Sequence, residues 1–313
     1  MNKPGLRPDE VAIRILDKHA DVIEDALRKR FPGVHVGRTP LPDRARLKAL
    51  ISFRPPADEP LDPYDWIHST GAGVDAICAG LSGDRVPLIT RTVGRMGEQI
   101  AEYCLGYALE HFQKMRQRRA AQSSRQWAEK TLAPSFLFDS NIAVIGTGEI
   151  GREIGAAFHR LGAYVTGYSR SGRSVEGFDR VQALNGQSAL SGSDVAILAL
   201  PATEETHDLV SSALLGQLDG ALLINIGRGS TLDHAALRQA LNDGSVAHAV
   251  LDVFEEEPLP SDDWRWTDER VTITPHVAGL TLPDDAVNRF CELLEDVLQT
   301  GQLPTSIDVS RGY

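Results

Sequence analysis

Cysteine is almost missing from this chain: 313 residues hold three, Cys78, Cys104 and Cys291, far apart. None is in a C-x-x-C pair and none has a histidine at metal-ligand spacing, so neither a disulfide framework nor a zinc site is expected to organise the fold. Long apolar runs are missing as well, and the polar start MNKPGLRPDE does not read as a signal peptide. Basic excess is lacking too: 32 Lys+Arg against 43 Asp+Glu give a net charge of −11, which argues against a general binder of nucleic acid or anionic membrane. Repeats and low-complexity tracts are absent. A reduced, metal-free cytoplasmic protein is expected, with no nucleic-acid or membrane partner, and an anionic small substrate would need a locally basic pocket. Hydrophobic residues at 42% are enough for packed cores, and the length suits two domains.

The first third alternates short strands and helices. Val11 to Leu16, Val34 to Val36, Ala49 to Phe53, Trp66 to Ser69 and Val86 to Arg91 read as strands and Ala20 to Arg30 as a helix, which predicts a parallel sheet with helical cover. Thr70 to Asp75, TGAGVD, puts two glycines directly after a strand end. Ligands gather at the carboxyl ends of strands in such sheets. A plain turn and a carboxylate-holding pair of amides at Ala72 and Gly73 both fit. From Glu98 to about Arg119 apolar residues recur at helical spacing, and a long connecting helix is expected there, with the domain change near its start. Its basic end, KMRQRR, is read as a solvated helix terminus that complements the dipole.

Asn141 to Gly151, NIAVIGTGEIG, is the most informative stretch. A buried-strand run passes through Gly146, Gly148 and Gly151 into helical spacing at Ile150, Ile154 and Phe158. Glycine suits Gly146 for a turn, Gly148 for backbone approach to a pyrophosphate, and Gly151 for helix-to-strand packing. Phosphates would then sit on the N–H groups of the helix N-terminus. Ala163 to Tyr168 is the next strand. An NAD site usually carries an acid about twenty residues after the glycines, on the ribose 2′-hydroxyl. Here Ser169, Arg170 and Arg173 occupy that region. The two guanidinium groups and the hydroxyl suit a 2′-phosphate, so NADP is the expected cofactor and NAD the alternative; surface arginines with no ligand are the plain reading of the same residues.

Further strands are expected at Val195 to Leu200, Ala221 to Ile226, Ala249 to Phe254 and Val271 to Thr274, with a helix over Glu204 to Leu218. Arg228 lies between Gly227 and Gly229 at one strand end, Glu257 precedes Pro258 near the next, and His276 follows the last. Singly these are a turn arginine, a solvated acid and a loop histidine. Jointly they are a complete set for reducing a 2-keto acid: the arginine pairs with the carboxylate and polarises the carbonyl, and protonated histidine gives a proton to the oxygen. A neighbouring carboxylate would favour the charged imidazole and raise its pKa.

With TGAGVD at 70–75, VIGTGEIG at 144–151, ALPATEET at 199–206, NIGRG at 225–229, LDVFEEEPLP at 251–260 and TPHVAG at 274–279, the chain resembles the D-isomer-specific 2-hydroxyacid dehydrogenases over nearly its whole length. Within them it looks most like the short bacterial glyoxylate/hydroxypyruvate reductases, including the SRSGR run and the terminal Arg311-Gly312-Tyr313. The resemblance implies an α/β chain of two doubly wound parallel-sheet domains with a hinge cleft: a flavodoxin-like substrate domain over 1–96 and 285–313, and a Rossmann NAD(P) domain over 97–284, with a C-terminal helix from about Asp284 to Thr300 returning to pack on the first hundred residues. It implies Arg228 as substrate anchor, His276 as acid/base, Glu257 as its partner, and the backbone at Ala72 and Gly73 as carboxylate receiver. Cofactor contacts are implied at Glu149, Ile150, Leu200, Pro201, Ile226, Gly227, Asp252, His276 and Gly279, besides the three fingerprint glycines. A homodimer joined through the cofactor domain is implied, with the helix after residue 97 at the interface.

The third substituent of the substrate is not readable. Phe53, Arg54 and Met96 are candidate pocket neighbours, so a larger 2-keto acid such as phenylpyruvate stays open beside glyoxylate and hydroxypyruvate. A phosphoglycerate dehydrogenase is the less expected reading, because many of those carry an additional regulatory domain beyond this length of chain, while some short forms do not. A dinucleotide-sensing binding protein on the same fold, like the carboxy-terminal-binding corepressors, is the alternative from another class; turnover separates the two.

Overall fold

The computed structural model describes residues 5–56, 59–82, 85–184 and 190–308, so Arg311-Gly312-Tyr313 lies outside the described residues. The chain divides into two compact units, Met1–Met96 with Thr281–Tyr313, and Gly97–Leu280.

The first unit carries five parallel strands: β1 (Val11–Leu16), β2 (His35–Gly37), β3 (Leu47–Ser52), β4 (Trp66–Ser69) and β5 (Leu88–Arg91), in the order β2-β1-β3-β4-β5. Alternate side chains leave a strand on opposite faces. Val11, Ile13, Ile15, Ala49, Ile51 and Trp66 therefore pack on one side, with helix α1 (Ala20–Arg30) and the C-terminal helix Pro283–Thr300. Leu50, Ile67 and Ile89 pack on the other, under Leu61, Tyr64 and Ile77 of the loops and of the short helix α2 (Asp75–Ala79). Phe290 is fully buried and stacks on Trp66 at 4.6 Å between ring centroids. Burying such a ring contributes roughly 1.5–3 kcal/mol, which ties the last helix into the core formed by the first residues. Reversal of strand order at β1/β3 creates a switch point, and β4 and β5, parallel to β3, lie beyond it with their carboxyl ends at the same edge of the sheet.

The second unit opens with α3 (Met96–Phe112) and α4 (Met115–Ser123), where a single helix to about Arg119 was expected. Lys114 breaks it with φ +49°, a left-handed conformation that a helix interior does not contain. Seven parallel strands follow: β6 (Asn141–Ile145), β7 (Tyr164–Ser169), β8 (Arg180–Ala183), β9 (Val195–Leu198), β10 (Ala221–Asn225), β11 (Val246–Leu251) and β12 (Val271–Ile273). Their order is β12-β11-β10-β9-β6-β7-β8, with the switch between β6 and β9. Helix α5 (Glu149–Arg160) leads from β6 toward β7, buries Ile154 and Phe158 along one stripe and ends at Leu161.

The helix expected over Glu204 to Leu218 shrinks to α6 (Ser212–Leu215). Thr206 Oγ1 donates to the Pro201 carbonyl at 2.6 Å, and the Asp208 and Val210 N–H groups donate to Ser230 and Thr231 carbonyls instead of to an earlier helical turn. Asp208 itself has φ +49°. Helix α7 (His234–Asp243) is capped by Asp233, whose carboxylate accepts from the N–H groups of Ala235 and Ala236, and stops at Gly244 with φ +84°. No helix among the described residues is long and apolar enough to cross a membrane.

Candidate active site

The fingerprint glycines at the end of β6 have distinct jobs. A side chain on Gly151 would be driven into the carbonyl oxygen of Gly146, and one on Gly146, at φ +106°, into the carbonyl of Ala199. Both positions therefore need glycine for close backbone approach. Gly148 differs: a Cβ there would meet nothing within 4 Å, so open space lies at the start of α5. The ladder of α5 begins with the Arg152 N–H on the Gly148 carbonyl at 2.8 Å, and the amides ahead of it lie outside the helical pattern. An N-terminus with positive dipole, a small residue and open space suits a pyrophosphate. Residues Glu149 and Ile150 open α5 at that space, while Leu200 and Pro201 follow the end of β9 and Ile226 and Gly227 follow the end of β10.

After β7 the chain turns sharply. The Gly172 N–H donates to the Ser169 hydroxyl at 3.2 Å, and Gly172 has φ +62°. Arg170 and Arg173 are both exposed in that turn. Arg170 Nη1 donates to Glu205 at 3.0 Å, with Glu205 73% exposed. Sequence reasoning did not single out Glu205, because its approach depends on the 203–210 loop being a loop.

Arg228, Glu257 and His276 follow successive neighbours β10, β11 and β12. Gly227 and Gly229 do more than free the arginine between them. A Cβ on Gly227 would lie 2.5 Å from the Leu200 carbonyl oxygen, and one on Gly229 would strike the backbone of Phe254. Three strand-end loops thus cross at contact distance, which fixes where Arg228 leaves the chain. Asn225, fully buried, sets the turn: its Oδ1 accepts from the Gly227 N–H at 3.1 Å and its Nδ2 donates to the Arg228 carbonyl at 3.1 Å. An asparagine ahead of a glycine was the available signal for it. The half-buried Arg228 guanidinium donates to the Gly227 carbonyl at 2.7 Å.

His276 Nδ1 is 2.8 Å from Glu257 Oε2, and the other oxygen of Glu257 accepts from the Phe254 N–H at 3.0 Å. The carboxylate is thus pinned on one side and presents its second oxygen to the imidazole. His276 side-chain exposure is 47%, so its ring reaches solvent. Its backbone has φ +54°, unusual for a side-chain-bearing residue and costly by about 1–3 kcal/mol. Asp252 holds that conformation. Buried at 1% exposure, its carboxylate accepts from Thr274 Oγ1 at 2.5 Å, Val277 N–H at 2.9 Å and Ala278 N–H at 3.0 Å, while its carbonyl accepts from the His276 N–H at 2.9 Å. Tyr103 of α3 extends the network by its 2.6 Å contact with Thr274 Oγ1. The visible work of Asp252 is thus to shape the loop from Thr274 to Gly279. Burial drives the Tyr103 phenol far above its usual pKa, so it stays a neutral hydrogen-bonding group. Among the described residues no His, Cys, Asp and Glu group could hold a metal ion.

In the first unit, TGAGVD follows β4 as expected, with Ala72 buried and Gly73 half-buried. The Phe53 ring, 43% exposed, lies where a side chain on Gly71 would be, at 2.6 Å from its ideal Cβ, and the Arg54 guanidinium stands 5.9 Å from the Phe53 centroid.

Residues 105–278 match the model of the D-isomer specific 2-hydroxyacid dehydrogenase NAD-binding domain. The chain belongs to the D-isomer specific 2-hydroxyacid dehydrogenase family. It is 33% identical over 299 residues to a glyoxylate/hydroxypyruvate reductase A of Serratia proteamaculans, covering 92% of this chain and 94% of the relative. Among solved structures it resembles a D-isomer specific 2-hydroxyacid dehydrogenase of Xanthobacter autotrophicus in complex with NADPH and MES, at 28% identity and TM-score 0.83, over 99% of this chain and all of that one. An NADPH-dependent glyoxylate/hydroxypyruvate reductase of Sinorhizobium meliloti in complex with NADP and sulfate matches at 26% identity and TM-score 0.83, over 97% of this chain and all of that one. This family member is accordingly an oxidoreductase with an NAD(P)-binding Rossmann unit.

Proposed function

We propose that this family member reduces a small 2-keto acid of the glyoxylate or hydroxypyruvate kind to the D-2-hydroxy acid with NADPH. The observation that carries the reading is the 2.8 Å pair of His276 Nδ1 and Glu257 Oε2 at strand ends of the dinucleotide-binding sheet. Bound NADPH supplies the hydride that the carbonyl carbon receives. Arg228 pairs with the substrate carboxylate and draws electron density toward the carbonyl oxygen. In this reading the backbone at Ala72 and Gly73 offers N–H groups to a substrate carboxylate. His276, protonated, gives its Nε2 proton to the carbonyl oxygen as negative charge develops there. Glu257 accepts the Nδ1–H throughout, so the neutral imidazole left behind keeps that proton on Nδ1 and its Nε2 lone pair toward the product hydroxyl. Reduction consumes the protonated ring and oxidation needs the neutral one, so reduction gains toward lower pH.

NADPH is preferred over NADH in this reading because Ser169, Arg170 and Arg173 replace the ribose-binding acid. An ion pair between two exposed groups is worth at most about 1 kcal/mol, so Glu205 does not withhold Arg170 from a phosphate. The NADPH and NADP complexes of the Xanthobacter and Sinorhizobium proteins support the same choice. Copies of the chain are further proposed to pair through the second unit, where Leu109 of α3 and Met115 of α4 are exposed apolar residues; light scattering that gives a monomer mass overturns that part.

The deciding experiment follows absorbance decay of NADPH, with a parallel NADH series, against glyoxylate, hydroxypyruvate, pyruvate and phenylpyruvate. Rapid NADPH oxidation with glyoxylate or hydroxypyruvate is expected. A phenylpyruvate optimum assigns a larger substrate, and cofactor binding without turnover moves the reading to a dinucleotide-sensing protein.

A further inference from the structure

The loop after β4 is tied down by side chains. Thr70 Oγ1 donates to the Asp17 carboxylate at 2.6 Å, Ser69 Oγ donates to the Gly73 carbonyl at 2.9 Å, and Arg91 Nη1 donates to the Ala72 carbonyl at 3.0 Å. Arg91 is placed for this by strand register: β4 and β5 pair with Ser69 opposite Arg91, and the Thr92 N–H bonds the Ser69 carbonyl at 3.0 Å. The guanidinium thus reaches the loop from the end of the adjoining strand.

A peptide unit is planar, and in its trans form the C=O and N–H point in opposite directions. The cis bond among the described residues is Glu257–Pro258, so the unit joining Ala72 to Gly73 is trans. Holding the Ala72 carbonyl on Arg91 therefore turns the Gly73 N–H away from Arg91. Glycine has wide freedom in φ and would let that plane rotate if the carbonyl were untied. We propose that Arg91 is a positioning residue that fixes the Gly73 N–H for substrate carboxylate by holding the opposite face of the same peptide. Its charge also polarises the peptide it holds, making the N–H a better donor. The inference rests on the reading above, in which the Ala72–Gly73 backbone receives the carboxylate. None of the motifs in the sequence points to Arg91.

The test is steady-state reduction of glyoxylate at saturating NADPH, with oxamate as an unreactive competitor, for the wild type, Arg91→Gln and Arg91→Lys. Arg91→Gln is expected to raise KM for glyoxylate and Ki for oxamate together by about tenfold, while kcat and the NADPH dissociation constant stay within about twofold. Lysine keeps a donor and a charge but not the fork, so Arg91→Lys should recover part of the loss and retain an increase of about threefold. Should the glutamine variant not fold, the lysine variant carries the test alone, and unchanged oxamate inhibition overturns the proposal. An unshifted KM and Ki in Arg91→Gln, or an equal loss of NADPH affinity, overturns it as well. Those outcomes leave the reductase reading standing. A wild-type protein that turns over no 2-keto acid removes that reading and the role of Arg91 with it.

Discussion

The two units share a parallel, doubly wound plan yet hold their candidate groups in opposite ways. In the five-stranded unit the candidate binding groups are peptide N–H groups after β4, and side chains steer them: Arg91 on the Ala72 carbonyl, Ser69 on the Gly73 carbonyl. In the seven-stranded unit the candidate reacting groups are side chains, and backbone groups meet two of them directly, the Phe254 N–H on Glu257 and the Gly227 carbonyl on Arg228, while the side chains of Asn225 and Asp252 set the loops that carry Arg228 and His276. A peptide dipole neither titrates nor disappears on mutation, so it suits the constant task of holding an anion. Proton transfer needs a group that changes charge near neutral pH, and only a side chain offers one.

That contrast is sharpest at His276. His276→Gln is expected to lower kcat by about 10²–10⁴-fold with NADPH affinity within about twofold, measured by turnover and by cofactor fluorescence titration. A variant that keeps its rate means that the proton comes from elsewhere and ends the distinction between the units.

Titration also separates function from packing. His68 of β4 is fully buried between Thr90 and Thr92 and against Phe290, and burial, then the Arg289 charge, lower its pKa to about 3. A depressed folded-state pKa means the unfolded chain binds the extra proton first. The contribution of neutral His68 is therefore complete above the ordinary value of about 6.5 and is lost as pH falls from there toward about 3, on the order of 3 kcal/mol by about pH 4. Denaturant unfolding of the wild type and His68→Asn between about pH 4 and 7 should show a steeper pH slope in the wild type. Equal slopes would mean that His68 does not resist protonation.

Arg228→Lys keeps charge and loses the fork. Turnover of keto acid per unit substrate should drop about 10²-fold, read as kcat/KM, and unchanged kinetics would take Arg228 out of the substrate contact. The smallest effect is expected at the cofactor end. Replacing Arg170 and Arg173 together by Ala should weaken NADPH about tenfold and NADH by less than about twofold, because exposed charge pairs to phosphate are screened. Equal losses for both cofactors would assign these arginines to the turn alone.

The parts of the fold that sequence conveys are those enforced locally. The fingerprint glycines were legible because Gly146 and Gly151 answer to backbone contact inside one strand–turn–helix unit. The strands were legible because a parallel sheet buried on both faces demands continuous apolar runs such as Ala221 to Ile224. Strand β8, RVQA, escaped because an edge strand with no buried residue carries no such run. The helix expected over Glu204 to Leu218 failed because the Asp208 and Val210 backbone groups found partners in Ser230 and Thr231, a long-range pairing that outweighs local propensity. Helix α7 carried a readable signal, an N-capping Asp233 and a closing Gly244.

By itself the sequence determined the candidate side chains for charge and proton transfer, Arg228, Glu257 and His276, and the glycine turn, because chemistry and close backbone contact restrict residue type. Tertiary structure alone decided how those groups are aimed: the left-handed His276 backbone fastened by a buried Asp252, the crossing of three loops at Gly227 and Gly229, and the hold of Arg91 on a peptide of the neighbouring strand end. Aim depends on strand register and on which backbone groups meet across the sheet, and those pairings join residues tens of positions apart that no local pattern relates.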